Sequence, residues 1–339
     1  MVAIVIRPRS KNLKEFKTSL DYNTPVNSLI EQIASFNNIS SSRLRLTFAS
    51  PVYTKTKIVK QSPLNGDYSL SEQKDKFFKE FIDSNSNELT LFVKDLGPQI
   101  AWKTVFILEY LGPLLIHPFF YYLSHSSYFL NYNGFLTIFK IENHSNIQKI
   151  SLILVLLHFL KREFETIFVH KFSLSTMPLF NLFKNSGHYW ILSGFNLSIF
   201  IYFNNFLNPD NSLLNFLFYT KADYENNLIP GVLILGWLFA EISNLICHLN
   251  LSSLRKDGSK DHKIPFGYGF NLVSCPNYFF ESISWLFFFL INLNPFSLFF
   301  LVVSTAQMVI WGIKKHKRYL KDFGDKYPRN RKIYFPYIF

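Results

Sequence analysis

The chain has 339 residues, of which 48% are hydrophobic and 18% aromatic, and its formal net charge is +12. A mean hydropathy of +0.10 hides a polar N-terminal part followed by a strongly apolar remainder. Its two cysteines, Cys247 and Cys275, exclude a disulfide framework and a cysteine-based zinc site.

The positive charge is concentrated at the C-terminus. Residues 1–95 contain 14 Lys/Arg and 10 Asp/Glu, a net +4, whereas residues 314–339 contain 9 and 2, a net +7. A basic segment directly after an apolar stretch is typical of the cytosolic side of a membrane. We therefore expect a cytosolic tail beside a lipid bilayer and no nucleic-acid partner. The N-terminus MVAIVIRPRSKNL lacks the apolar core of a signal peptide, so we expect the first domain in the cytosol as well.

Residues 1–95 are predicted to form a small α+β domain. Short β-branched or alternating runs predict three strands, Val2–Ile6, Leu44–Phe48 and Leu89–Val93. Between the first two, Thr24 is the expected N-cap of a helix with Pro25 in its first turn. Its apolar side holds Leu29, Ile30, Ile33 and Phe36. This order favours a ubiquitin-like β-grasp, with a generic α+β domain as the alternative.

Residues 96–339 are predicted to form a multi-pass α-helical membrane domain of about six spans, since about 20 apolar residues cross a bilayer. The expected spans are 101–123, 149–170, 187–207, 228–250, 279–293 and 296–313. The last two are divided at Asn294-Pro295, because proline breaks the hydrogen-bond pattern of a helix. The basic connection 251–278 belongs on the cytosolic face by the positive-inside bias, which places both termini in the cytosol. Asn143-His-Ser matches a glycosylation sequon in a predicted lumenal loop.

The span 228–250 carries a polar stripe. Glu241, Asn244 and His248, with Arg255 just beyond, fall within about 60° of one another at helical spacing. Ionisable groups within a membrane are costly, so they usually face a protein interior and mark a functional site.

Polar residues interrupt other apolar spans as well. Glu109 and Tyr110 do so in the first span, and two further sets follow. Helical spacing places His158, Arg162 and Glu165 on one face with Lys161 beside them, and lets Asn277, Tyr278 and Glu281 converge. Each group by itself also has a structural explanation, as polar side chains that join helices. Their distribution over separate spans favours a shared polar cavity.

The motifs that are missing narrow the chemistry. The chain has no GxGxxG or Walker sequence, no HExxH and no GxSxG, so a glycine-rich phosphate loop, a zincin site and a serine nucleophile have no support. We expect no metal site. The chain does offer Arg and Lys side chains that can hold phosphates, and Asn, Tyr and Glu side chains deeper in the spans that can orient a ring or donate a proton. This set suits the reduction of a lipid-borne substrate by a soluble nucleotide cofactor.

Several ordered segments resemble the trans-2-enoyl-CoA reductases of very-long-chain fatty acid elongation, within the wider steroid 5α-reductase family. The resemblance covers nearly the whole chain, and its longest segments are DLGPQIAWKTVFILEYLGPLL, LHFLKREFETIFVHKFSLSTMPLFNLFKN, LRKDGSKDHKIP, LVSCPNYFFE and QMVIWGIKKHKRYLKDFGDKYP. It implies an endoplasmic reticulum enzyme that uses NADPH to reduce the 2,3 double bond of a long-chain enoyl-CoA. Other elongation enzymes are candidate partners. The predicted ubiquitin-like domain fits the enoyl-CoA branch rather than the steroid branch.

The resemblance also implies roles for individual residues. Tyr278 is similar to the proposed catalytic tyrosine of the enoyl-CoA reductases, and Glu109 matches an acidic residue that faces substrate in the steroid branch. The positions that match family residues around the nicotinamide nucleotide are Asn244, Arg255, Asn277, Glu281 and Tyr319, with His316 nearby. Positive charge, and not the resemblance, makes Lys161 and Arg162 the candidate substrate-binding residues, since such side chains can neutralise phosphates.

The chemistry leaves alternatives open. Tyr278 could donate a hydrogen bond to the thioester oxygen, where negative charge develops, or protonate the α carbon. Glu109 could donate only if burial keeps it protonated. A reductase of a sterol or polyprenol is the alternative enzyme, and a ubiquitin-like membrane scaffold is the non-enzymatic alternative.

Overall fold

A computed structural model describes residues 2–50, 60–77, 88–125, 144–172, 174–203, 224, 228–255 and 263–339. Asn143 of the predicted sequon, most of the connection 208–227 and residues 256–262 lie outside this part of the chain. The chain divides into two compact units, Met1–Ala101 with Thr176–Phe180, and Trp102–Ser175 with Asn181–Phe339.

The first unit is built on a five-stranded sheet. Its strands are β1 (Val2–Pro8), β2 (Phe16–Leu20), β3 (Leu44–Ser50), β4 (Lys60–Pro63) and β5 (Glu88–Asp95). Their spatial order is β2-β1-β5-β3-β4. β1 and β5 are parallel, and the other neighbouring pairs are antiparallel.

The core of this unit follows from strand alternation. Every second residue of the central strands faces inward, and Ile4, Ile6, Leu44, Leu46, Leu89 and Leu91 are buried. Helix α1 (Val26–Asn37) contributes Leu29 and Ile33 to the same cluster. A second helix, α2, spans Leu70–Phe77.

The start and outer edge of α1 differ from the prediction. Pro25 is the N-cap residue and makes no side-chain cap hydrogen bond, so the assignment of Thr24 as N-cap is wrong. Thr24 instead lies in the turn before the helix, where its backbone N–H donates to Asp21 O at 3.0 Å. Phe36 stays exposed, and its ring contacts that of Phe16 in a tilted arrangement with centroids 5.1 Å apart.

A two-stranded ribbon completes the first unit. Strands β6 (Gln99–Ala101) and β7 (Thr176–Pro178) pair antiparallel, although they are far apart in sequence.

The second unit is helical. Its helices are α3 (Trp102–His125), α4 (Asn146–Phe164), α5 (Phe180–Ser186), α6 (Leu197–Tyr202), α7 (Leu228–Ser253), α8 (Pro276–Asn292) and α9 (Pro295–Phe323). The α4 helix continues as a π-helical turn over Glu165–Val169, and a π-helical segment, Gly187–Asn196, joins α5 to α6. Local π-helical turns of this kind often occur at functional sites.

Within the described ranges, three helical segments are long and apolar enough to cross a membrane, Trp102–Ser124, Leu228–Ser253 and Pro295–Lys326. The break predicted between residues 279–293 and 296–313 is confirmed, because α8 ends at Asn292 and α9 begins at Pro295. Asn294 caps α9 by accepting a hydrogen bond from Phe296 N at 2.9 Å.

Aromatic side chains form the core of the helical unit. Tyr110, Phe159, Tyr202, Trp285 and Phe288 belong to one buried cluster. Rings supply large contact areas to such a core, which explains how a chain with 39 Phe packs its helices.

The C-terminal segment folds back on the chain before α8. Ser274 N donates to Lys332 O and Lys332 N donates to Leu272 O, both at 2.9 Å. Tyr334 is buried, and its hydroxyl donates to Tyr278 O at 2.8 Å. The basic tail is therefore an ordered part of this unit.

Candidate active site

The polar stripe of α7 faces the protein interior. Glu241, Asn244 and His248 are 5%, 1% and 7% exposed. The opposite face is apolar and open, with Phe239, Ile242 and Leu249 exposed by 58%, 56% and 49%. A helix whose apolar side faces outward and whose polar side is buried suits a lipid surrounding.

Arg255 does not continue this helical face. The α7 helix ends at Ser253, and Arg255 lies in the turn that follows. The prediction of one helical stripe from Glu241 to Arg255 is therefore wrong at its last member. The Arg255 guanidinium donates to Lys171 O, and Lys171 Nζ donates to Arg255 O at 3.3 Å.

His158 joins three helices. Its Nδ1 lies 2.7 Å from Glu241 Oε1 on α7, and its Nε2 lies 3.3 Å from Glu281 Oε1 on α8. An ionised carboxylate only accepts hydrogen bonds, so two carboxylates against both ring nitrogens favour an imidazolium at His158. Trp285 covers this ring edge-on, at 4.8 Å between centroids.

Lys161 extends the same network. Its Nζ lies 2.7 Å from Glu241 Oε2, donates to Asn244 Oδ1 at 2.7 Å and lies 3.7 Å from Glu165 Oε1. Three oxygens from two helices thus surround one ammonium, which therefore balances buried carboxylates.

Arg162 binds the other oxygen of the same Glu165 carboxylate. Its Nη1 donates to Glu165 Oε2 at 2.6 Å, and its Nη2 donates to Tyr110 Oη at 2.8 Å. His248 Nδ1 lies 3.0 Å from Glu165 Oε2 and 3.2 Å from Arg162 Nη1. The predicted face of α4 is present, and its members are linked to α3 and α7.

Asn277 continues the network at the start of α8. Asn244 Nδ2 donates to Asn277 O at 2.8 Å, which ties α7 to α8. Asn277 Oδ1 is buried and has no hydrogen-bond partner within the described ranges. A buried amide oxygen of this kind is an acceptor for a bound donor group.

Tyr278 faces α9, whereas Glu281 on the same helix faces His158 of α4. Its ring lies 6.2 Å from the Trp311 ring, and Lys315 Nζ lies 5.9 Å from its centroid. Its hydroxyl makes no hydrogen bond to any residue that the structure describes. The phenol is thus half-buried beside a cation, with its donor uncommitted.

His316 and Tyr319 lie on α9 beside the folded-back tail. Ser274 Oγ lies 2.6 Å from His316 Nδ1 and 2.7 Å from Tyr327 Oη. Tyr319 stacks on Tyr327, with ring centroids 5.4 Å apart. Arg255 and Lys315 are both within electrostatic range of Tyr319.

Glu109 is 2% exposed on α3, and its Oε1 has no hydrogen-bond partner in the part of the chain described. Asn185 and Arg162 interact with the same carboxyl group. Glu109 and Asn277 thus each carry a buried oxygen without a hydrogen-bond partner among the described residues.

One group of residues could hold a metal ion by geometry. Ligand atoms of Glu165, His170 and His248 lie within 4.8 Å of one another. The Arg162 guanidinium contacts both Glu165 and His248, so a divalent ion would have to displace a buried cation. The sequence analysis did not predict this group, because Glu165 and His170 are far from His248 along the chain.

Sequence comparison identifies relatives of nearly full length. A Dictyostelium discoideum very-long-chain enoyl-CoA reductase is 37% identical over 99% of this chain and 99% of its own length. A Schizosaccharomyces pombe protein with enoyl reductase in its name is 41% identical over 99% of this chain and 100% of its own. The chain belongs to the very-long-chain enoyl-CoA reductase family. A more distant member, the human trans-2,3-enoyl-CoA reductase-like protein, is 32% identical over 77% of this chain and 69% of its own.

The C-terminal part of the chain also matches the model of a second enzyme family. The profile of the 3-oxo-5-alpha-steroid 4-dehydrogenase family matches residues 175–339. This range contains α7, α8, α9 and the folded-back tail, whereas Glu109, Lys161 and Arg162 precede it.

Proposed function

We propose that this protein reduces the 2,3 double bond of long and very-long-chain trans-2-enoyl-CoA with NADPH, as the last step of the fatty acid elongation cycle. The observation that carries the proposal is the Tyr278 hydroxyl beside Lys315, which makes no hydrogen bond to a described residue and lies next to a network of buried charges. The names of the full-length relatives support the substrate class.

Tyr278 is the proposed proton or hydrogen-bond donor. Reduction at the β carbon moves negative charge onto the thioester oxygen, and a donor held at that point stabilises the transition state. Lys315 favours a negative charge on or near the phenol, because it lies over the ring. Donation to the oxygen and protonation of the α carbon both remain open for this hydroxyl.

Glu109 is the second proposed catalytic residue. Its carboxyl group is fully enclosed by protein, and one oxygen is uncommitted among the described residues. In the protonated form it would donate a hydrogen bond to the substrate.

The proposed cofactor residues fit a nicotinamide nucleotide. Asn277 Oδ1, which has no hydrogen-bond partner in the described part of the chain, suits the amide N–H of a carboxamide, and Asn244 binds the backbone oxygen of Asn277. We propose that Arg255 neutralises phosphate, and that Glu281, His316 and Tyr319 shape the rest of the site. NADPH, when bound there, supplies the hydride.

Lys161 and Arg162 were predicted to bind the substrate. Both are engaged by buried carboxylates, with side chains 14% and 11% exposed. These contacts favour a role in positioning the network, and a direct contact with CoA phosphates stays a prediction.

The setting of the reaction is proposed on the same grounds. Six membrane crossings would place both termini in the cytosol of an endoplasmic reticulum enzyme, close to other elongation enzymes. The strand order β2-β1-β5-β3-β4 with α1 against the sheet supports a ubiquitin-like β-grasp for residues 1–95.

A sterol or polyprenol reductase is the second candidate, favoured by the match of residues 175–339 to a steroid enzyme family. A panel of enoyl-CoA, enone sterol and polyprenol substrates separates the two, with NADPH oxidation as the readout. A protein that binds no nucleotide would instead support the scaffold alternative.

The catalytic assignment is tested by Tyr278→Phe, which removes only the hydroxyl. We expect turnover of trans-2-enoyl-CoA to fall about 100-fold or more, the usual contribution of a positioned acid. Tyr122→Phe is the matched control, because Tyr122 is 69% exposed on α3. Full turnover by the Tyr278 variant would remove Tyr278 from the mechanism.

A further inference from the structure

Arg331 in the C-terminal segment is a buried cation whose N–H groups meet no acceptor among the described residues. The residue is 3% exposed. Its Nε, Nη1 and Nη2 atoms are all buried, and none has a hydrogen-bond partner among the described residues. A guanidinium carries five N–H donors, so this group is wholly unsatisfied.

Two aromatic rings flank this guanidinium. Its central carbon lies 5.1 Å from the Phe266 centroid and 5.0 Å from the Tyr327 centroid. Cation–π attraction offsets part of the loss of water. Ring faces do not replace the in-plane acceptors that the N–H groups lose, and a buried charge normally requires such a partner.

The position of Arg331 is set by the backbone on both sides of it. Arg331 N donates to Pro328 O at 3.3 Å, and the next residue, Lys332, pairs with the strand-like segment Leu272–Ser274. These bonds fix the main chain at Arg331, and the rings of Phe266 and Tyr327 flank its guanidinium.

The surroundings of Arg331 are those proposed for the nucleotide. Tyr327 contacts Arg331, stacks on Tyr319 and meets the His316 ring edge-on at 5.6 Å. Arg331 is within electrostatic range of His316. Tyr327 therefore links the unsatisfied cation to His316 and Tyr319, two of the residues proposed to bind the cofactor.

We propose that Arg331 binds the ribose phosphate of an adenine nucleotide, either the 2′-phosphate of NADPH or the 3′-phosphate of CoA. A phosphate monoester offers several charged acceptor oxygens, which match the planar fork of a guanidinium. The inference rests on the proposed function and adds to it a residue that distinguishes phosphorylated from unphosphorylated nucleotides.

Equilibrium binding to the full-length protein in detergent tests the proposal. Affinities are measured for two matched pairs, NADPH with NADH and CoA with dephospho-CoA, which lacks the 3′-phosphate. We expect Arg331→Met to weaken binding of one phosphorylated member about 10- to 100-fold, as loss of charge-assisted hydrogen bonds does, and to leave its partner unchanged. The affected pair identifies the source of the phosphate.

Arg329→Met is the matched control. Arg329 has the same charge in the same segment, but its side chain is 83% exposed and pairs with Asp325. Thermal unfolding without nucleotide shows whether each variant folds. If Arg331→Met does not fold, Arg331→Lys keeps the charge and removes the fork, and the same selective loss is expected.

The outcomes separate this inference from the proposed function. Wild-type protein that binds neither NADPH nor CoA would refute the proposed function. Wild-type protein that binds both, with Arg331 variants that bind all four nucleotides unchanged or weaken them equally, would overturn only the phosphate role of Arg331.

Discussion

At the scale of single residues, buried charged side chains in this protein share ion-pair partners. Glu241 contacts His158 and Lys161 at 2.7 Å each, so one carboxylate serves two cations from α4. Buried ion pairs add little stability over apolar packing, but removing one member leaves a costly uncompensated charge. The network is therefore sensitive to single changes in charge.

This sensitivity can be measured with Glu241→Gln. We expect the variant to lose about 3–5 kcal/mol of stability, because His158 and Lys161 keep their charges without their common partner. Chemical unfolding in detergent measures the loss. Ile242→Val, on the exposed side of the same helix, should change stability little.

A second variant tests the cause. Combining Glu241→Gln with Lys161→Met removes one charge of each sign, so part of the lost stability should return. Strictly additive losses in the double variant would show that the two side chains are not coupled.

At the scale of elements, helical segments of the second unit pack closely where one of them carries a glycine. Trp190 lies against Gly112 of α3, and its indole Nε1 donates to Leu108 O at 2.8 Å. A methyl group added at Gly112 would overlap the indole near its attachment point, so the ring cannot swing away without losing that hydrogen bond.

We therefore expect Gly112→Ala to destabilise the protein by about 1–3 kcal/mol, as overpacking usually does. Gly231→Ala on α7 is the control, because nothing lies within 4 Å of the added methyl group. That change should be neutral or stabilising by up to about 1 kcal/mol through helix propensity. Equal effects of the two substitutions on the melting temperature would argue against the close contact.

At the scale of the whole molecule, both units have a buried hydrophobic cluster, but they differ in where their ion pairs lie. The helical unit encloses a network of ion pairs, whereas the N-terminal unit has the pair of Asp95 with the partly exposed Arg43. Asp95 at the end of β5 accepts hydrogen bonds from Arg43 and from Gly97 N. Its side chain is 7% exposed.

This ion pair predicts that the stability of the N-terminal unit depends on pH. The hydrogen bond from Arg43 lowers the pKa of Asp95 from 3.8 to about 2. A carboxyl group whose pKa is lowered by folding stabilises the fold above its ordinary pKa and loses this effect as pH falls towards the folded value. The destabilisation caused by Asp95→Asn should thus be largest near neutral pH and disappear between about pH 4 and pH 2.

Thermal unfolding of full-length wild type and variant over this range measures the difference. Asp21→Asn, in an exposed turn, serves as the control and should show little dependence. A constant penalty for Asp95→Asn down to pH 2 would mean that the carboxylate charge does not matter.

Local pattern determined much of this protein. Apolar runs predicted the positions of the helices, and Asn294-Pro295 predicted the break before α9, because these features depend on neighbouring residues alone. Helical spacing likewise placed Glu241, Asn244 and His248 on one buried face. The exact ends were less determined, as the end of α7 before Arg255 shows.

Only the tertiary structure decided which charged groups meet. The contacts of His158 with Glu241 and Glu281, and of Arg162 with Tyr110, join residues that lie about 50 to 120 positions apart, a separation over which no periodicity acts. Nothing in the sequence marks Arg331 among the basic residues of the tail. Its burial between Phe266 and Tyr327 arises because the chain end folds back onto the segment before α8.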